Sequence, residues 1–260
     1  MSDTVLQQVD GAVATITINR PAARNALTAE TKVALLAALR DCSSDERVRA
    51  VILTGAGQAF CSGQDLREHA ELLASGSALD TVRQHYNPII ETVAGMPKPV
   101  VAALPGVAAG AGAGLALACD FRVAAERASL LLAFARVGLG ADSGASWTLQ
   151  RLVGVAKAAE MLMLAEPVDA ATALKLGLLT SVVPDADLPE AAAALAARLA
   201  AGPTLAYAAI KEGLLYSTSH SLRESLEKEA DLQARLASTE DHQAATLAFV
   251  NKQAPVYQGR

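Results

Sequence analysis

Apolar and polar positions alternate with period two over residues 5–9 and 12–19, on either side of Asp10-Gly11. Such alternation around an Asp-Gly pair predicts two strands joined as a hairpin. In the second strand Val13, Thr15 and Thr17 share one face and Ala14, Ile16 and Ile18 the other, until Arg20-Pro21 ends the run. The period then lengthens. Thr28 suits an N-cap and Glu30 the first turn, so a helix is expected from there to about Cys42, with Val33, Leu36 and Leu39-Arg40 forming its stripe. Residues 50–54 form a short continuous apolar strand, and 98–104, apolar after Lys98, predict a second buried strand. Between them lie a polar helix over 65–74, a break at Gly76-Ser77 and a second helix over 78–94. Strands at 121–124 and 129–133 lead to a long turn over 136–146 and to helices at 146–152 and 155–164, parted by Gly154. A helix at 170–176 and a strand at 179–183 follow. Beyond them strand signal vanishes, and helices are predicted over 188–200, 204–216, 222–237 and 240–250. The change near Pro184 divides the chain into a mixed region, 1–184, and a helical region, 185–260.

Recurring strand–strand–helix units predict a layered α/β core, and 260 residues suffice for one large core. A net charge of −5 argues against a nucleic-acid backbone binder, which carries a basic face. Cys42, Cys61 and Cys119 are too few and too scattered for a disulfide framework or a metal cluster, and His69, His85, His220 and His242 lack ligand spacing. No metal is therefore expected. No apolar run reaches the roughly 18 residues of a membrane span, and the first residues lack the pattern of a secretion signal. A soluble protein of the cytoplasm, with no membrane partner, is the expectation.

One stretch stands apart. From Gly106 to Gly114 the chain holds only Gly, Ala and one Val, before a more apolar run to Cys119. Two readings are open: a tight packing seam, or backbone N–H groups bared at a helix start to receive negative charge. The turn Ser62-Gly63-Gln64-Asp65 has the same construction, following a buried strand and opening a helix that Asp65 suits as a cap. Backbone donors from two such turns can converge on one carbonyl oxygen.

The segments Asn19-Arg20-Pro21, Arg24-Asn25-Ala26-Leu27, Phe60-Cys61-Ser62-Gly63-Gln64-Asp65-Leu66 and Pro105-Gly106 to Asp120, in this order and spacing, resemble the crotonase, or enoyl-CoA hydratase/isomerase, superfamily. The resemblance covers essentially the whole chain. It implies an α/β fold: a crotonase-like spiral of ββα units with a C-terminal helical region that trimerises, as a homotrimer or a dimer of trimers. It implies acyl-CoA thioester substrates, with coenzyme A as part of the substrate and no separate cofactor. The backbone N–H groups of Gln64 and Ala111 would form the oxyanion hole. Ala23, Arg24, Ala26, Ser62, Asp65, Leu66, Gly110 and Phe134 would line the CoA and acyl site, and Phe249 and Lys252 match positions where a neighbouring subunit reaches the nucleotide. Arg24 is either a phosphate contact or a solvated arginine, and Phe249 either a nucleotide contact or a core residue of the last helix. His69 and His85 either border the acyl group or sit on a helix face.

Hydratases of the superfamily position and split water with two glutamates. The matching positions here are Gly114 and Phe134, and neither side chain moves a proton. The remaining acid is Asp142, in a segment, Gly138-Leu139-Gly140-Ala141-Asp142-Ser143-Gly144, similar to that of isomerases acting on ring-1,2-epoxyphenylacetyl-CoA. Ala141 and Ala145 depart from the usual proline and glycine of that subgroup. Phe134, Leu139 and Trp147 lie near Asp142 in sequence and suggest an apolar setting that raises its pKa. Asp142 is read either as a proton shuttle or as a turn or helix-cap aspartate. The function implied is acyl-CoA isomerisation; the alternatives are an enoyl-CoA hydratase (a lyase) and a catalytically silent crotonase-like binding subunit.

Overall fold

The structure is a computed structural model and describes residues 3–74 and 80–260. The break at Gly76-Ser77 and the start of the helix predicted at 78 lie outside the described residues. The hairpin forms as β1 (Val5–Asp10) and β2 (Val13–Ile18), with Asp10 opposite Val13. The two-residue loop is thus Gly11-Ala12, one residue later than the Asp-Gly pair suggested, and Gly11 supplies its positive φ of 55°. Ala14, Ile16 and Ile18 are fully buried, as the alternation predicts.

Three strand pairs then wind in register. β3 (Ala50–Gly55), β5 (Val100–Leu104) and β7 (Phe121–Ala125) enter one sheet side by side, and β4 (Ala59–Cys61), β6 (Val107–Ala109) and β8 (Ser129–Leu131) enter a second sheet in the same order. Each pass of the chain therefore advances both sheets by one strand, which makes a spiral of ββα units. The first sheet has the order β1-β2-β3-β5-β7-β10, parallel from β2 onward, with β10 spanning Ser181–Val183. The second is closed by β9 (Val168–Asp169), antiparallel to β8.

Helices fill the remaining layers: α1 (Ala29–Ser44), α2 (Leu66–Ala74), α3 (Asn87–Gly95), α4 (Ala111–Ala118), α5 (Ala145–Leu164) and α6 (Ala170–Lys175). A single π turn, Val82–Tyr86, leads into α3. Gly154, with φ 76° and ψ 162°, breaks α5 where the sequence predicted two helices. Helices α7 (Leu188–Ala200), α8 (Thr204–Ser217), α9 (Leu222–Ala237) and α10 (Glu240–Val250) complete the chain.

The strands read as continuous apolar runs because both faces are covered. Val51, Leu53, Val100, Ala102 and Leu104 face the main core, whereas Ala50, Ile52, Val101 and Ala103 face a second core built on Leu188, Ala192, Ala196 and Leu199 of α7. The first helix of the 185–260 region thus lies directly on the sheet. Thr28 caps α1 as expected, accepting from the Thr31 N–H. The stripe of α1 runs through Lys32, Leu35, Leu39 and Cys42, and Val33 is exposed, so the predicted helical phase is corrected by about one residue.

Candidate active site

The site begins with the pairing of two three-residue strands. β4 and β6 are parallel, with Cys61 beside Ala108, so the turns at their C-terminal ends emerge together. Gly63 has φ +89°, and a Cβ there would stand 2.8 Å from the Ala109 oxygen and 3.3 Å from the Ala111 nitrogen. Only glycine lets the two backbones touch here. Gly112 performs the same service for α4, since a Cβ would meet the Cys61 carbonyl oxygen.

The turns leave two donors bare. The Leu27 N–H donates to the Gly63 oxygen at 2.8 Å and the Asp65 N–H to the Leu27 oxygen at 3.1 Å, which directs the intervening Gln64 N–H away from that strand partner. Ala111 is the first residue of α4, where an N–H has no acceptor within the helix. Among the described residues neither N–H meets a protein acceptor. Both readings of the Gly/Ala stretch therefore apply: it is a packing seam, and it bares a helix start.

Asp142 lies on the loop before α5. The Ser143 hydroxyl donates to its Oδ1 at 2.8 Å. Helix α5 has Gly144 at its N-cap and no side-chain cap, so Asp142 is not a helix cap. Burial pushes its pKa above the ordinary carboxylate range, against the pull of the Ser143 hydroxyl and the Lys32 charge. The predicted apolar neighbours are corrected in part: Phe134 is buried, but Leu139 and Trp147 are exposed, and the Trp147 ring carries the Arg151 guanidinium instead. The loop is pinned to the Gly/Ala helix, because a Cβ on Gly114 would stand 2.7 Å from both Cβ and O of Ser143. The space beside Gly114 is thus filled by Ser143, the residue next to Asp142.

The residues expected to meet CoA divide into two groups. Ala23, Arg24, Ala26, Ser62, Asp65 and Leu66 come together: the Ser62 N–H donates to the Arg24 oxygen at 3.0 Å, and Ala26 closes on Ala23. Asn25, fully buried at φ 58°, holds this loop by accepting from the Arg20 N–H at 2.9 Å and donating to Ala56 and Ala59 oxygens at 2.9 and 2.7 Å. The Asp65 carboxylate is engaged internally, paired with Arg20 at 2.9 Å and accepting from the Arg67 and Glu68 N–H groups of α2. Arg24 and Leu66 are exposed. Phe134 is a buried residue of a short 3-10 turn, Ala133–Val137, that follows β8. Phe249 and Lys252 lie at the end of α10, which packs on α9. Phe249 is 84% exposed, which overturns its reading as a core residue.

Sequence reasoning missed a polar cluster behind Gln64. Lys32 is 2% exposed, and its Nζ donates to Gln64 Oε1 at 3.0 Å and to Thr81 Oγ1 at 2.6 Å. The Tyr86 hydroxyl donates to the same Gln64 oxygen at 2.6 Å, and Thr81 Oγ1 lies 3.1 Å from His85 Nδ1. The available signal was a lysine at a stripe position of α1. Among the described residues no group of His, Cys, Asp and Glu could hold a metal ion, and no single helix is long and apolar enough to cross a membrane.

Comparison with known proteins agrees with this fold. The family model for enoyl-CoA hydratase/isomerase matches residues 8–260. A Rhodobacter capsulatus protein described as a probable enoyl-CoA hydratase is 42% identical, over 99% of this chain and 98% of its own. The 1,2-epoxyphenylacetyl-CoA isomerase of Escherichia coli K12 is 36% identical over the full length of both chains. A solved Mycobacterium abscessus structure described as an enoyl-CoA hydratase/isomerase superposes with a TM-score of 0.94 at 44% identity, covering 98% of this chain and all of that one. The chain belongs to the enoyl-CoA hydratase/isomerase family of the crotonase superfamily.

Proposed function

We propose that this chain is an acyl-CoA isomerase in which Asp142 carries the proton and the Gln64 and Ala111 N–H groups hold the thioester oxygen. The observation that carries the reading is the contact between Gly114 and Ser143: it removes the space for a hydratase glutamate and brings the Asp142 loop against the helix that starts at Ala111. In a 3-enoyl-CoA, Asp142 takes a proton from C2, and the C2–H electron pair enters conjugation with the thioester to give a dienolate. Two preset N–H donors stabilise its oxygen, and loss of a single such donor costs about 2.7–4 kcal/mol in characterised enzymes. The C3–C4 double bond shifts to C2–C3 as the same carboxylic acid returns the proton at C4. No water and no second acid are consumed. The upward direction of Asp142's pKa suits this exchange, since a less acidic carboxyl group returns a proton to carbon more readily once it has taken one. The identity with the epoxyphenylacetyl-CoA isomerase supports a second substrate class, ring-epoxidised phenylacetyl-CoA, whose rearrangement to an oxepin would use the same thioester polarisation.

CoA would lie along the loop of half-buried Ala23, exposed Arg24 and buried Ala26, beside Ser62 to Leu66, with Gly110 and Phe134 at the acyl end. In the proposed homotrimer, or dimer of trimers, the exposed Phe249 and Lys252 would reach a neighbour's nucleotide. A hydratase reading is supported by the descriptions of several relatives, the Rhodobacter protein among them; it would require Asp142 alone to handle both water and the α-carbon proton. The test is Asp142→Asn with 3-enoyl-CoA. Loss of turnover with retained CoA-thioester affinity is expected, and unchanged turnover would overturn the proton-shuttle assignment.

A further inference from the structure

Lys32 is an ammonium ion buried behind the oxyanion turn, and such a charge is tolerated in a protein interior only when its donors are used. Here they are. One bond goes to the Gln64 side-chain oxygen at 3.0 Å, one to Thr81 at 2.6 Å, and the ammonium stands 5.0 Å from the centre of the Tyr86 ring. Tyr86, also buried, donates to the same Gln64 oxygen at 2.6 Å. The Gln64 side chain is therefore gripped at its far end by α1 and by the turn leading into α3, while its peptide is fixed on both sides by the bonds to Leu27. No freedom is left for the residue to rotate its N–H.

We propose that Lys32 and Tyr86 are positioning residues: their joint grip on the Gln64 side chain aims the Gln64 N–H at the thioester oxygen. The inference rests on the reading of Gln64 and Ala111 as the oxyanion hole. It assigns a purpose to a glutamine side chain that has no direct part in the chemistry. The charge has a second consequence. Two carboxylates face the Lys32 ammonium, Glu68 from α2 and Asp142 from the loop before α5. Glu68 is already engaged at the Ala29 N–H, at 3.0 and 3.1 Å. His85 is linked to Lys32 through Thr81, with Asp80 beside it, and the Tyr86 phenol is held neutral by burial. Asp142 is thus the proton-active group that the lysine charge steadies in its ionised form.

The experiment uses the full-length protein and a conjugated aromatic enoyl-CoA, whose absorption moves to the red when its thioester carbonyl is polarised. Tyr86→Phe removes one oxygen and keeps the volume. It should reduce the red shift and lower kcat by up to about tenfold, the scale of one hydrogen bond, with KM little changed and the pH profile unmoved. Lys32→Met should lower kcat more, by up to about 100-fold if the donor is displaced by an ångström, and should move the acidic limb of the kcat profile to higher pH. A full red shift in either variant, each confirmed folded by its melting transition, would overturn the proposal. Because the red shift reads carbonyl polarisation without turnover, it stands apart from the fate of Asp142. Turnover retained in Asp142→Asn would sink the shuttle reading, whereas a red shift undiminished in Tyr86→Phe sinks the positioning one.

Discussion

At the residue scale the proposed proton shuttle is a carboxyl group whose pKa burial raises. Asp142 must be ionised to take the C2 proton, and burial raises its pKa above the ordinary value of about 4. Activity should therefore fall as pH drops through that raised pKa, at higher pH than a solvated aspartate would give, and kcat/KM for a 3-enoyl-CoA against pH reads this directly. Asn25 supports the loop proposed to face CoA. Asn25→Ala leaves the Arg20 N–H and the Ala56 and Ala59 oxygens without their partner, at about 1–3 kcal/mol for each group left unpaired, and the denaturant midpoint should drop accordingly. The two turns that bare backbone N–H groups were legible because glycines mark them: Gln64 and Ala111 follow Gly63 and Gly110. Lys32 was not legible. A charged residue reads as solvent-facing unless the helical phase is known, and exposed Val33 makes the stripe ambiguous by one position.

At the element scale the site depends on close approach between α4 and its neighbours. Gly114→Ala puts a methyl group 2.7 Å from Ser143. The expected outcome is destabilisation of about 1–3 kcal/mol in chemical unfolding, together with a fall in kcat as the Asp142 loop is pushed away. Gly114→Glu should likewise fail to create hydratase activity. Helix ends and long strands were readable in the sequence: the Thr28 cap, the β2 alternation and the Gly154 break all occur where the pattern puts them. Strands β4 and β6 were not. Each has three residues, too few to show a period, and each owes its existence to pairing with the other, Ala59 with Val107 and Cys61 with Ala108, far apart along the chain. The site's central geometry thus arises from contacts that no local pattern encodes.

At the scale of the whole molecule, the spiral explains how distant turns meet. Winding β3–β4, β5–β6 and β7–β8 through two sheets places the ends of β4, β6 and β8 in a row, and the turns bearing Gln64 and Ala111 open from the first two. That topology followed from resemblance to a family, since periodicity alone predicts only alternating layers. The helical region presents apolar side chains to solvent, among them Ile210, Leu214, Leu222, Leu247, Phe249 and Val250. So much exposed apolar surface is characteristic of an interaction face. The proposed trimer predicts a sedimentation mass of three or six times the chain. Phe249→Glu should shift the mass toward the single chain and raise KM for CoA thioesters, if the residue serves a neighbour's site.

The central claim is that one acid and two backbone donors move a double bond without adding water. The most direct measurement gives the purified protein a 3-enoyl-CoA and, separately, a 2-enoyl-CoA, and follows the absorbance of the conjugated thioester. Absorbance should rise with the first substrate and stay nearly constant with the second. Rapid loss of absorbance from 2-enoyl-CoA, with no rise from 3-enoyl-CoA, would contradict the account and make the chain a hydratase.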